Sequence, residues 1–121
     1  GTGTINTSDA REKTPVAPLT PDEIAAARVL AREIGSYQFL DAVATKGYDA
    51  RLHIGLTVQR AMQLLAEHGL DPLRYGFICH DAWAADGDTP AGDRYAFRPD
   101  ELLLFIARGF EARLAALEAA A

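Results

Sequence analysis

Apolar residues recur at helical spacing through most of the chain, and the helices they predict begin at recognisable caps. Ile24, Ala27, Leu30, Ala31, Ile34 and Tyr37 recur at helical spacing, the period of one helix face. Thr20-Pro21-Asp22-Glu23 stands just before them. Thr20 can cap the free N–H groups, Pro21 suits the first helical position, and Glu23 completes a capping box. The pattern predicts a helix from Pro21 to about Lys46, with Gly47 as its stop. Gly35-Ser36 interrupts it, and Phe39, Leu40 and Val43 fall on another side, so a kink or a break into two helices is expected there. A second helix is expected from Asp49 to His68, with Ile54, Val58, Ala61, Met62 and Leu65 as its main stripe. Leu52, Leu56 and Leu64 lie outside that stripe. Gly69 reads as the left-handed residue past its end, with Leu70 folding back on the last turn.

Asp71-Pro72 can open the next element. Leu73–Trp83 fits helical spacing and also strand alternation through Tyr75, Phe77 and Cys79. A lone strand would lack a pairing partner, so a short helix is the expectation. Ala84–Phe97 carries three aspartates, two glycines and a proline, and reads as a long acidic loop. Pro99-Asp100-Glu101 then repeats the start of the first helix and opens a final one to about Ala119. Leu103, Ile106, Ala107, Phe110, Leu114 and Leu117 define its continuous face. Residues 1–19 show no period and read as a mobile arm. The expected architecture is all-α: about four helices in a single domain over residues 20–121.

Composition narrows the class. The chain has 121 residues, 49% of them hydrophobic and 24% charged, the balance of one globular domain. Its net charge of −5 argues against a direct nucleic-acid binder, which needs a basic stripe. No run of ~18 apolar residues spans a membrane. One cysteine, Cys79, excludes an intrachain disulfide and suits the cytoplasm.

Reactive side chains are sparse. Cys79, His80 and Asp81 form the one compact cluster, but neighbours in sequence diverge, so Cys79 and His80 do not pair as nucleophile and base. A buried thiol and a half-buried histidine are the expectation. Asp86-Gly87-Asp88 and Asp93 lack the glutamate of a calcium-binding loop, since its twelfth position is Phe97. His53 and His68 carry no zinc spacing. The glycines do not form a nucleotide fingerprint. No cofactor, metal or enzymatic activity is expected.

Apolar residues outnumber what a four-helix core needs. Leu102-Leu103-Leu104-Phe105-Ile106 covers most of a helix circumference, and such a helix must be buried nearly all round. Either its neighbours wrap it, or Leu104 and Phe105, together with Leu52 and Leu56, meet another chain. Three segments, Ile34–Val43, Tyr75–Trp83 and Arg98–Leu114, carry a resemblance over roughly residues 20–118. In them the chain resembles a small quorum-sensing anti-activator of the QslA type. That resemblance implies an all-helical homodimer that binds the ligand-binding domain of a LuxR-type transcription factor and blocks that receptor's own dimerisation. The sequence therefore reads first as a protein-binding regulator. A small enzyme or ligand-binding domain using Cys79, His80 and Asp81 is the second reading, and a structural or assembly subunit the third.

Overall fold

The computed structural model describes residues 7–121. Among the described residues four α-helices and four β-strands follow in the order α1 (Pro21–Glu33), β1 (Gly35–Tyr37), α2 (Leu40–Lys46), β2 (His53–Gly55), α3 (Val58–Glu67), β3 (Ile78–Trp83), β4 (Gly92–Phe97) and α4 (Pro99–Ala120). The architecture is mixed, with two separate antiparallel pairs, β1 with β2 and β3 with β4. The all-α expectation is overturned by these pairs.

The helix caps form as the sequence predicts. Thr20 Oγ1 accepts from the Glu23 N–H at 3.2 Å, and Glu23 Oε1 accepts from the Thr20 N–H at 2.9 Å. At the end of α3 the Leu70 N–H donates to Leu65 O at 3.0 Å and the Gly69 N–H to Ala66 O at 2.9 Å. Gly69 has φ of +76°, and this pair of bonds satisfies carbonyls the helix leaves free. Gly47, with φ of +64°, ends α2.

The departures lie between the caps. The expected first helix stops at Glu33, because Ile34 is extended and Gly35–Tyr37 pairs with His53–Gly55 in the register Gly35↔Gly55, Ser36↔Ile54, Tyr37↔His53. The expected second helix starts not at Asp49 but at Val58, capped by Thr57, whose hydroxyl accepts from the Arg60 N–H at 3.3 Å. Gln38 Nε2 donates to Tyr48 O and Ala50 O, fixing the turn that brings β2 beside β1. Ile78–Trp83 is a strand rather than a short helix. Its partner is Gly92–Phe97, which the acidic composition had assigned to a loop. Only residues 84–91 connect the two.

The core sits between α1, α3, α4 and the base of the β3–β4 hairpin. Ala26, Ala27 and Leu30 of α1 meet Ala61, Leu64 and Leu65 of α3. Leu102, Phe105 and Ile106 of α4 complete it with Phe77 and Ile78. Phe77 and Phe105 lie with ring centroids 5.2 Å apart. α1 and α4 approach tightly at Gly109, where an added Cβ would stand 2.9 Å from Ala27 Cβ. The buried face of α4 is thus Leu102, Phe105, Ile106 and Gly109. This differs from the predicted face: Leu103 and Phe110 are more than half exposed, while Phe105, expected off the internal stripe, is 7% exposed. In the same way Leu64, expected off the α3 stripe, is buried, and Ile54 is exposed on β2.

Candidate functional site

Two apolar grooves and a short polar turn in the N-terminal segment hold the side chains that contact or chemistry would use. The first groove, about 660 Å³, runs beside the β1–β2 pair and is lined by Tyr37, Phe39, Leu56, Arg60 and Tyr95 among others. Its rim is aromatic. Tyr37 stacks on His53 with centroids 5.5 Å apart, and Phe39 meets the same ring edge-on at 4.9 Å. Arg60 Nε donates to Glu33 Oε1 at 2.6 Å on the groove wall, which draws α3 to the end of α1. Leu40, Tyr48, Leu52 and Ile54 stand exposed around this end of the molecule.

The second groove, about 700 Å³, lies between the extended Val16–Leu19 segment and α4. Tyr75, Phe77 and Phe105 line it, with Leu104, Glu101 and Arg108. Tyr75 Oη donates to Glu23 Oε2 at 2.7 Å, so Glu23 both caps α1 and fixes Tyr75. Burial, reinforced by this hydrogen bond, pushes the Tyr75 phenol up to about 12. The Thr20 N–H, joined by the Tyr75 hydroxyl, holds the Glu23 carboxyl below the usual carboxylate range.

The residues expected to make contact are therefore divided. Leu104 and Phe105 share the second groove, Leu104 exposed on it and Phe105 buried beneath. Leu56 lines the first groove, while Leu52 is exposed on the chain just before β2 and lines neither. The Cys79–His80–Asp81 cluster lies on β3. Cys79 is a free thiol. His80 stacks on Tyr95 with centroids 4.3 Å apart, and its Nε2 lies 2.8 Å from Asp93 Oδ2. His80 thus pairs across the hairpin and not with Cys79. Among the described residues no group of three or more His, Cys, Asp or Glu side chains is placed to hold a metal ion.

Sequence reasoning passed over the polar turn at the N-terminal end. Asp9 caps a short 3-10 turn, Ala10–Glu12, accepting from the Arg11 N–H at 2.9 Å, and Arg11 grips the same carboxylate through Nε and Nη2. The Arg11 side chain holds the Asp9 carboxyl below its ordinary range. The turn brings Lys13 back to Ser8, and Lys13 Nζ donates to Ser8 Oγ at 2.9 Å. A serine hydroxyl beside a lysine amine is one known pairing of nucleophile and base. Ser and Lys five residues apart in a polar segment carry no signal in sequence; the Asp9–Arg11 turn creates the proximity.

Among the described residues the largest exposed apolar features are these two grooves. The model of the chaperone of endosialidase family, Peptidase_S74, matches residues 8–70, and the chain belongs to that family. It is 46% identical, over 96% of its length, to the side tail fiber protein pb1 of Escherichia phage T5, of which it spans 10%. Among solved structures it is similar to the carboxy-terminal domain of the bacteriophage T5 L-shaped tail fiber with its intra-molecular chaperone domain, with a TM-score of 0.82 and 44% identity, covering 97% of this chain and 32% of that one. It is also similar to a novel intramolecular chaperone, with a TM-score of 0.76 and 28% identity, covering 88% of this chain and 98% of that one. These findings overturn the resemblance to a QslA-type anti-activator. With it go the LuxR-type receptor as partner and the homodimeric regulator inferred from it. The segments that carried that resemblance include β1 and β3 as well as helix, and helical apolar runs do not distinguish one contact protein from another. No helix among the described residues is long and apolar enough to cross a membrane.

Proposed function

We propose that this chain is a folding module that assists assembly of a phage tail fibre or tail spike polypeptide to which it is joined. The observation that carries this reading is the match to the T5 fibre structure with its intra-molecular chaperone domain, which extends over nearly the whole chain. The chain spans about a tenth of the fibre protein it resembles, as a module within a long polypeptide would. The grooves supply the means: apolar side chains left exposed in a folded domain offer a surface to a client that has yet to bury its own. On this reading Leu104 over Phe105, Leu56 in the first groove and exposed Leu52 contribute to client contact. The cytoplasm is the compartment in which such assistance would act.

The test joins this chain to the T5 fibre domain in place of that domain's own intra-molecular chaperone, and measures the yield of soluble, assembled fibre. Restoration of yield relative to the fibre domain alone is expected. A yield no better than that of the fibre domain alone would refute the proposal.

The Ser8–Lys13 contact favours a second reading that is compatible with the first. In it Lys13, once deprotonated to its neutral amine, takes the proton of Ser8 Oγ as that oxygen attacks the carbonyl carbon of a peptide bond in its own chain, and returns the proton to the leaving amine. An ester forms as the amine leaves with a proton, and water then hydrolyses the ester. Such a cut happens once and turns over no substrate. Mass spectrometry of the chain expressed behind its natural upstream segment should show two fragments, and Ser8→Ala should abolish them. An uncut wild-type chain, or a cut that survives Ser8→Ala, would refute it.

A further inference from the structure

A third hollow, about 110 Å³, opens where α1 crosses α4. Its lining is Arg28, Ala31, Arg32, Gly109, Phe110 and Arg113. Gly109 makes the hollow possible, since the helices meet there with no side chain between them. Three of its six lining residues are arginines in a chain whose net charge is −5. All three are exposed, and among the described residues none makes an ion pair or a side-chain hydrogen bond. By contrast Arg11, Arg60 and Arg108 each engage a carboxylate.

The arrangement is unfavourable for the free chain. Arg28 and Arg32 are four apart on one helix face, where like charges repel, and Arg113 brings a third positive charge from α4. Arg32 lies in the last turn of α1, where the helix dipole favours a cation; Arg28 and Arg113 have no such compensation. A space of this size holds about three or four waters, or one carboxylate and its stem. Guanidinium groups form paired hydrogen bonds with carboxylates. Phe110, half exposed, provides an apolar wall, and arginine beside an aromatic ring is a composition enriched at interface centres.

We propose that this hollow docks a glutamate- or aspartate-bearing segment of the client polypeptide. The inference rests on the chaperone reading and gives its client contact a chemistry: an acidic anchor on the α1–α4 face, apart from the two apolar grooves. The test uses fluorescein-labelled hexaglutamate and follows anisotropy with the intact chain at an ionic strength of about 50 mM, where screening is weak. Saturable binding is expected, lost as salt is raised, and absent for hexaglutamine. Arg28→Gln, Arg32→Gln and Arg113→Gln together should weaken it by about tenfold or more, with the thermal melt unchanged or slightly raised, because all three side chains are exposed and their mutual repulsion is relieved. Arg113→Glu alone should also weaken it, and serves if the triple variant does not fold. Undiminished binding in these variants would overturn the proposal, as would equal affinity for an oligothymidylate of matching charge, which would mark a general anion patch. The fibre-yield assay separates the two readings. If wild-type chain restores yield and the arginine variants restore it equally while still binding hexaglutamate, the hollow is not the anchor and the chaperone reading stands. If wild-type chain fails to restore yield, the chaperone reading itself falls.

Discussion

Gly109→Ala tests the packing of α1 against α4. Gly109 lies in the interior of a 22-residue helix, where alanine is intrinsically favoured over glycine by ~0.8–1 kcal/mol. Propensity alone therefore predicts stabilisation. The structure predicts the opposite. An added Cβ would sit 2.9 Å from Ala27 Cβ, 3.1 Å from Ala27 C and 3.1 Å from Arg28 N. Two of those neighbours are backbone atoms of another helix, which cannot swing aside as a side chain would. Relief requires the helices to separate, and overpacking of this kind costs roughly 1–3 kcal/mol, here towards the upper end. Net of the propensity gain, Gly109→Ala should lose about 1–2 kcal/mol, or roughly 4–8 °C in Tm for a domain of this length. Urea denaturation followed by circular dichroism measures it, with Ala107→Gly as control on the exposed side of the same helix. That control should lose about 1 kcal/mol from propensity alone. Combining Ala27→Gly with Gly109→Ala should cost less than the sum of the single changes, by at least ~0.5 kcal/mol, because the two Cβ atoms compete for one space. A stabilised Gly109→Ala would refute the tight crossing.

Phe105→Ala should cost about 3–5 kcal/mol, as expected for a buried aromatic, whereas Leu104→Ser should leave the urea midpoint nearly unchanged and lower only the fibre yield. Stability should fall at both ends of the pH scale as two hydrogen-bonded groups titrate, Glu23 held down first by the Thr20 N–H and Tyr75 held up first by burial. Glu23, whose folded pKa is depressed, contributes above its ordinary value, near ~4.3, and that contribution is lost as pH drops through the lower folded value. Tyr75 is raised to about 12, so its contribution is whole below its ordinary value of ~10 and is lost as pH climbs towards the folded one. Urea midpoints against pH should show both losses, and Tyr75→Phe should remove the alkaline one. Gly92→Val should displace the single tryptophan, Trp83, whose ring would lie 2.8 Å from the new Cβ, and shift its fluorescence to the red; unchanged emission would show that the ring does not pack there.

What the sequence revealed depended on how far each signal extends along the chain. Capping chemistry is local, so Thr20 with Glu23 and Gly69 with Leu70 were legible at once. The β1 and β2 strands are three residues each, too short to display alternation, and the apolar residues around them extended the helical period past Gly35. The β3–β4 pair was missed for another reason. Asp93 and Arg94 make β4 polar because that strand is largely exposed, and without a recognised partner β3 looked like a helix. In α4 the run Leu102–Ile106 offers several faces, and hydrophobicity does not choose among them. Gly109 chooses, because the side of the helix carrying the smallest residue is the one that can approach α1. Arg28 and Arg32 stand more than eighty residues before Arg113 in the chain, and only the crossing of α1 and α4 gathers the three.

The β3–β4 hairpin is fastened at its base and free at its end. The Arg98 N–H donates to Phe77 O at 3.0 Å, and the Arg98 side chain reaches Gly76 O. Ile78 is buried, Cys79 half-buried, and every residue of β3 from His80 outward exposed. His80 against Asp93 and Trp83 over Gly92, with Trp83 Nε1 donating to Pro90 O at 3.1 Å, hold the register before the chain turns. Length can therefore vary beyond Trp83 with little effect on the body of the domain, since doubling a flexible loop costs only about 0.6 kcal/mol. The tip at Gly87-Asp88, beyond the paired Asp86 and Thr89, is a place where one scaffold can carry different inserts, such as an epitope or a fluorescent reporter, while the grooves and the arginine hollow stay as they are.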